Sequence, residues 1–338
     1  MALLKVTDLD RRIWDEELDD FVPEQVYDAH THIWRWAFNS DPSKETGPFR
    51  SFVKPEFENS GFALLDEADK LLMPGRKVER LAFPFPFPDC DFEASNQFIA
   101  GELAEHGDSD MLMLVHPGMT EEHLEQAIAE HGFLGLKPYR FYSSTGDAVN
   151  CRMTDFLPEH QIAVADRHGL LIMMHISKPN GISDEENLAD LQYLTEKYPN
   201  AKWILAHCAR SYSNWPIERA GDRLRDMPNT WFDTSSVCES DAIAALIRYV
   251  GIDRVLYGSD DIPVGIARGK YVSFGYAWAY LSETNHNVNL SHCDGRMTFT
   301  RYEQLRAMKR ASEAVGLSRN DIEAMFSGNA ERLISLCR

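Results

Sequence analysis

Eight short apolar runs recur along the chain, most of them separated by longer stretches with helical periodicity. The runs span 26–30, 78–83, 111–116, 133–139, 170–176, 203–207, 230–234 and 254–258. They are rich in Leu, Ile, Val and Met on consecutive positions, as in strands buried on both faces. The intervening stretches 61–73, 92–105, 120–130, 155–168, 239–249 and 301–315 carry apolar residues three and four apart, the spacing of a helix with one buried face. Leu188, Leu191 and Leu194 mark one more such helix, preceded by a Ser183-x-x-Glu186 capping pattern. This alternation predicts an α/β chain closed into a parallel (β/α)8 TIM barrel. An open doubly wound sheet is the competitor, but no Gly-x-Gly-x-x-Gly turn follows any of the runs. Without an internal repeat or a Ser/Gly-rich linker, residues 1–338 read as one domain, with 1–24 as an N-terminal extension.

Two connections are too long for simple turns. Residues 33–60 carry Trp34, Trp36, Phe38, Phe49, Phe52 and Phe57, and residues 261–298 carry Tyr271, Phe274, Tyr276, Trp278 and Tyr280. Loops of this length in compact domains are functional or disordered, and their aromatic content argues against disorder. The first and eighth strands of a closed barrel are neighbours, so both insertions are expected on the same side of its mouth. At least one of Tyr271, Tyr276 and Trp278 should then face the cavity there, unless the insertion packs on the rim or in an oligomer contact.

The net charge of −19 argues against a nucleic-acid backbone or an anionic membrane surface as the main partner. No run approaches the roughly 18 uninterrupted apolar residues of a membrane span. The N-terminus lacks a basic start leading into an apolar run, so no signal peptide is expected. The six cysteines form no Cys-x-x-Cys pair and read as reduced thiols. A soluble, cytoplasmic protein acting on a small molecule is expected, with homo-oligomerisation left open.

Five of the twelve histidines, His30, His32, His116, His175 and His207, fall at predicted strand ends. In a parallel barrel the carboxyl ends of the strands meet at one mouth, where active sites are built. His30 and His32 form a His-x-His pair, whose members share a face if they lie on a strand. His175 and His207 are 32 residues apart, one strand–helix unit, and Asp260 follows 53 residues later, which fits two more. Imidazoles with one carboxylate suit zinc or a similar divalent ion with open positions for water and substrate.

This ordered set resembles the amidohydrolase superfamily. It is most similar to the amidohydrolase-related ("amidohydrolase 2") branch, which includes the aminocarboxymuconate-semialdehyde decarboxylase-like enzymes. The closing segment MFSGNAERLISL adds to the likeness, which runs from about residue 26 to the C-terminus. The resemblance implies that His30, His32, His175 and Asp260 hold one divalent metal ion, zinc first among the choices. It implies that His207 either orients the activated water or substrate, or joins a second metal. Asp260 would also accept a proton from the activated water. Lys137 stands where two-metal members carry a carboxylated bridging lysine, although Gly-x-Lys also occurs in this branch without that role. One metal and a free Lys137 ammonium is the reading adopted here.

Arg35, Arg140 and Arg210 each lie within three residues of a proposed site residue, and arginine forks bind carboxylates bidentately. A small, anionic, carboxylated substrate is therefore expected, with Lys137 and Trp278 among its contacts. The function expected is metal-dependent hydrolysis of a lactone or amide, with His207 and Lys137 steadying the developing oxyanion. A nonoxidative decarboxylase of a small unsaturated or aromatic acid is the runner-up. A barrel that binds without turnover would be marked by a missing metal ligand, and none is missing.

Overall fold

The computed structural model describes residues 4–44, 58–106, 108–283 and 288–338. Each of the eight apolar runs forms a strand. In order they are β1 (Gln25–Arg35), β2 (Lys77–Pro84), β3 (Asp110–Met111 and Met113–Val115), β4 (Gly135–Pro138), β5 (Leu171–Met174), β6 (Lys202–Leu205), β7 (Thr230–Asp233) and β8 (Val255–Leu256). Every consecutive pair is parallel, and β3 belongs both to a six-stranded sheet and to a four-stranded one, whose fourth strand is the short Asn59–Ser60 segment antiparallel to β1. The ends also meet. Ala29 donates to the Tyr257 carbonyl at 2.9 Å, Asp260 to that of His30 at 2.9 Å, and Thr31 forms a parallel bridge with Asp261. These bonds join β8 to β1, an arrangement consistent with the expected (β/α)8 barrel.

Side-chain alternation explains why the runs are apolar throughout. Tyr27, Leu81, Leu112, Leu171, Met173, Ile204 and Leu256, from six strands, meet in one buried cluster with Leu333 and Ile334 of the C-terminal helix. Their neighbours Val26, Ala82, Met113, Ile172, Trp203 and Leu205 face the other way, into the layer shared with the helices. Helices Phe62–Leu72, Phe92–Glu105, Glu121–His131, Glu159–His168, Glu185–Lys197, Ser240–Val250 and Thr300–Val315 lie where the periodicity puts them. One cap differs from expectation. Asp184 accepts from the Glu186 amide, while Ser183 belongs to the preceding 3-10 turn and bonds the Asn180 carbonyl.

In the N-terminal extension, Trp14 stacks on Tyr302 of the Thr300–Val315 helix with ring centroids 6.1 Å apart. Of the first insertion's aromatics, Phe49, Phe52 and Phe57 lie outside the described residues. The second insertion contains an antiparallel hairpin, β9 (Gly269–Phe274) and β10 (Ala277–Ser282). Its two-residue turn has Gly275 at φ +60, a conformation in which glycine avoids the Cβ clash. No described helix is long and apolar enough to cross a membrane.

Candidate active site

The carboxyl ends of the strands carry the histidines to one place. On β1, His30 and His32 lie two residues apart with ring centroids 5.3 Å from each other. Asp260, just beyond β8, adopts a left-handed backbone (φ +63). Its Oδ1 lies 3.4 Å from Nε2 of His30 and 3.3 Å from Nε2 of His32. Burial pushes His30 down to about 3, with Lys137 adding to the shift, and lowers His32 as well. Both rings are therefore neutral at physiological pH. Burial acts to raise Asp260, but the surrounding histidines outweigh it and leave the carboxyl below its usual range.

The tautomer of His30 follows from its other nitrogen. Nδ1 sits 2.9 Å from Oδ2 of Asp233, a buried carboxylate, so Nδ1 carries the hydrogen and Nε2 carries the lone pair. That lone pair faces Asp260 Oδ1. Two acceptors at 3.4 Å repel each other unless a cation lies between them. The donor set thus fits a divalent ion. His30, His207 and Asp260 offer three ligand atoms that all lie within 4.8 Å of one another.

His207 reaches this group through an unusual turn. His207, Cys208, Ala209 and Arg210 all have φ between +50 and +58, one turn of left-handed helix without a glycine. Such a conformation costs roughly 1–2 kcal/mol per residue. Several contacts hold it. The His207 amide donates to Asp233 Oδ1 at 2.9 Å, the Ser211 amide to the His207 carbonyl at 2.9 Å, and Arg210 to the Ile176 carbonyl at 3.3 Å. Gly181 packs so closely that a Cβ there would stand 2.7 Å from the Arg210 carbonyl oxygen. The turn directs both His207 and Arg210 to one cavity. His207 Nδ1 lies 3.0 Å from the Ser235 carbonyl, an acceptor, so Nδ1 carries a hydrogen and donates it there while Nε2 is turned away from this bond. His175 sits beside it, with ring centroids 5.0 Å apart, and on its other side 5.0 Å from Tyr139.

The residues at the carboxyl end of β7 were not among those expected from sequence. Asp233 bonds both His30 and His207. Ser235 contacts Asp233 and, at 2.9 Å, Nδ1 of His207. Ser236 donates to Asp260 Oδ2. The signal available was an Asp-Thr-Ser-Ser run at a strand end.

The cavity above these groups measures about 340 Å³. Its walls are largely aromatic, with Phe85, Phe141, Tyr212, Tyr271, Trp278 and Tyr280 among them. Tyr271 and Trp278 come from the β9–β10 hairpin and pack on Tyr212 at 4.5 and 4.3 Å, whereas Tyr276 at the hairpin turn is exposed against Trp215. Arg140 and Arg210 also line the cavity, and neither has a carboxylate partner among the described residues. Burial lowers Arg210, and the like charge of Arg140 adds to this.

Other expected site residues lie elsewhere. Arg35 is exposed and stacks on Phe98 at 4.4 Å, away from the cavity. β1 continues through Arg35, and an offset of three from His32 turns its side chain to the opposite face. Lys137 is fully buried beneath the cavity rather than on its wall, with Nζ 4.2 Å from the Phe83 ring centre and no hydrogen-bond partner among the described residues. Burial pushes it down to about 7. His116 accepts from the Gly118 amide and packs on Phe92, also away from the cavity.

Residues 27–336 match the amidohydrolase family model, and the chain belongs to that family. A search of curated proteins finds no significant match. Among solved structures, an amidohydrolase from Burkholderia multivorans with bound zinc is similar at 13% identity and a TM-score of 0.61, over 92% of this chain and 99% of that one. A 2,6-dihydroxybenzoate decarboxylase complexed with 2,6-dihydroxybenzoate matches at 13% identity and 0.57, over 93% and 99%. A probable 2-pyrone-4,6-dicarboxylic acid hydrolase from Acinetobacter baumannii, with citric acid bound, matches at 14% and 0.57, over 92% and 99%. At these identities the likeness carries the fold.

Proposed function

We propose that this chain is a single-domain, cytoplasmic (β/α)8-barrel enzyme that hydrolyses a small carboxylated lactone or amide with the help of one divalent ion, zinc. The observation that carries the reading is the lone pair of His30 Nε2 facing Asp260 Oδ1 on the floor of a cavity lined by two arginines that have no carboxylate partner among the described residues. His30, His32 and Asp260 would hold the ion, with His175 and His207 on its remaining side. Bound there, it would polarise a substrate carbonyl and lower the pKa of a water toward neutrality.

The chain's own groups divide the remaining work. His207, its Nδ1 held by the Ser235 carbonyl, directs Nε2 to the attacking water and orients it. Asp260 takes the proton of that water. Arg140 and Arg210 bind the substrate carboxylate, in a site dry enough to make their charges count. Lys137 adds positive potential from below without reaching the cavity wall.

Decarboxylation of an aromatic acid is a second reading, favoured by the aromatic walls and by the likeness to the 2,6-dihydroxybenzoate decarboxylase. Product analysis separates the two. Zinc-loaded protein should open carboxylated lactones or cleave carboxylated amides without releasing carbon dioxide. Carbon dioxide from hydroxybenzoates, with lactones and amides untouched, would reverse the assignment.

A further inference from the structure

Asp233 is fully buried, and each of its oxygens serves a different part of the cavity. Oδ2 accepts from Nδ1 of His30 at 2.9 Å. Oδ1 accepts from the His207 amide at 2.9 Å, from the Ser235 amide at 3.0 Å and from the Ser235 hydroxyl. The first contact decides which nitrogen of His30 presents a lone pair to Asp260. The second holds the first amide of the left-handed turn 207–210, which no glycine relieves and which carries His207 and Arg210 together.

We propose that Asp233 is a positioning residue for both halves of the site, selecting the Nδ1–H tautomer of His30 and anchoring the left-handed turn that aims His207 and Arg210. The first half rests on the metal reading above, because only that tautomer offers Nε2 as a ligand. A carboxylate that orients a metal-binding imidazole typically changes metal affinity 10- to 100-fold when removed. Here the same group also restrains a strained backbone, so its loss reaches the arginine side of the cavity.

Asp233→Asn is the informative change. It keeps the shape but can place an NH₂ against His30 Nδ1, which favours the opposite tautomer. Nitrogen NMR of the histidine rings in zinc-free protein should report Nδ1–H for His30 in the wild type and Nε2–H in Asp233→Asn. Zinc affinity, measured by chelator competition, should fall 10- to 100-fold. Asp110→Asn is the control for burial alone. Asp110 is also a buried carboxylate, bonded to Tyr27 and Arg338. It should lose thermal stability but hold zinc as the wild type does. An unchanged His30 tautomer, or zinc affinity within twofold of wild type, overturns the first half.

Hydrogen exchange at the His207 amide tests the second half. It should accelerate at least tenfold in Asp233→Ala, and unchanged exchange overturns the anchoring role. Should the Asp233 variants fail to fold, Ser235→Ala removes one bond to the carboxylate and leaves it in place. A several-fold loss of zinc affinity is then expected, and none overturns the proposal. A wild type that binds no zinc would instead sink the metal reading, while the tautomer measurement, made without metal, still decides the role of Asp233.

Discussion

Ser236 donates a 2.5 Å hydrogen bond to Oδ2 of Asp260, and both residues hold left-handed backbones, at φ +60 and +63. The bond fixes the carboxylate so that Oδ1 alone faces the two β1 histidines. Hydrogen bonds to charged groups contribute about 1.5–3 kcal/mol. Ser236→Ala frees the carboxylate to rotate, and zinc affinity should fall about tenfold with the fold intact. Competition with a chelator, alongside a thermal unfolding curve, checks both halves of this expectation.

Metal content tests the site directly. The purified protein should carry close to one divalent ion per chain, and the double change His30→Ala, His32→Ala should abolish it. Elemental analysis decides. Two ions per chain together with a modified Lys137 would replace the one-metal assignment, and none in the wild type would remove the proposed chemistry.

How much of this could be read in the sequence depends on whether the controlling force leaves a pattern. All eight strands were legible, because a strand buried on both faces must be apolar at consecutive positions, as at Leu171–Met174. The histidines at strand ends were legible for the same reason, since they stop those runs. The β9–β10 hairpin was not assigned, although Tyr271, Ser273, Trp278 and Tyr280 alternate on it, because a two-stranded ribbon packed over a cavity has no long apolar run. The left-handed turn at 207–210 left no signal at all. Glycine is the usual marker of positive φ, and His-Cys-Ala-Arg adopts it under tertiary restraint. Arg35 was misplaced because nearness in sequence was counted without strand parity.

The cavity arginines give a charge-specific expectation. Arg140→Met and Arg210→Met each remove a cation that has no carboxylate partner among the described residues and lines the cavity. Turnover of a carboxylated substrate should drop at least tenfold, mainly through KM, while its neutral methyl ester should be affected less than threefold. Equal losses on acid and ester would mean that the arginines support the fold instead.

Asp10 ties the N-terminal extension to the base of the hairpin that supplies Tyr271 and Trp278. It is buried, and its carboxylate accepts from Arg268 at 2.6 Å, from the Thr298 hydroxyl at 2.6 Å and from the Thr7 amide at 2.7 Å. Breaking a buried ion pair on one side costs roughly 3–5 kcal/mol. Arg268 keeps some access to water, so Asp10→Ala should lose about 3 kcal/mol, toward the lower end, in urea unfolding. Burial acts to raise the Asp10 carboxyl, but the bonds from Arg268, Thr298 and Thr7 outweigh it and leave it below 3.8. A carboxyl lowered by folding stabilises fully above its unfolded value, and that contribution fades as pH falls through the folded one. The wild type should therefore exceed Asp10→Asn in stability at pH 6, and the gap should shrink as the pH is taken below about 4. A gap that stays constant over this range would show that packing, not the charged clasp, holds the extension against the hairpin.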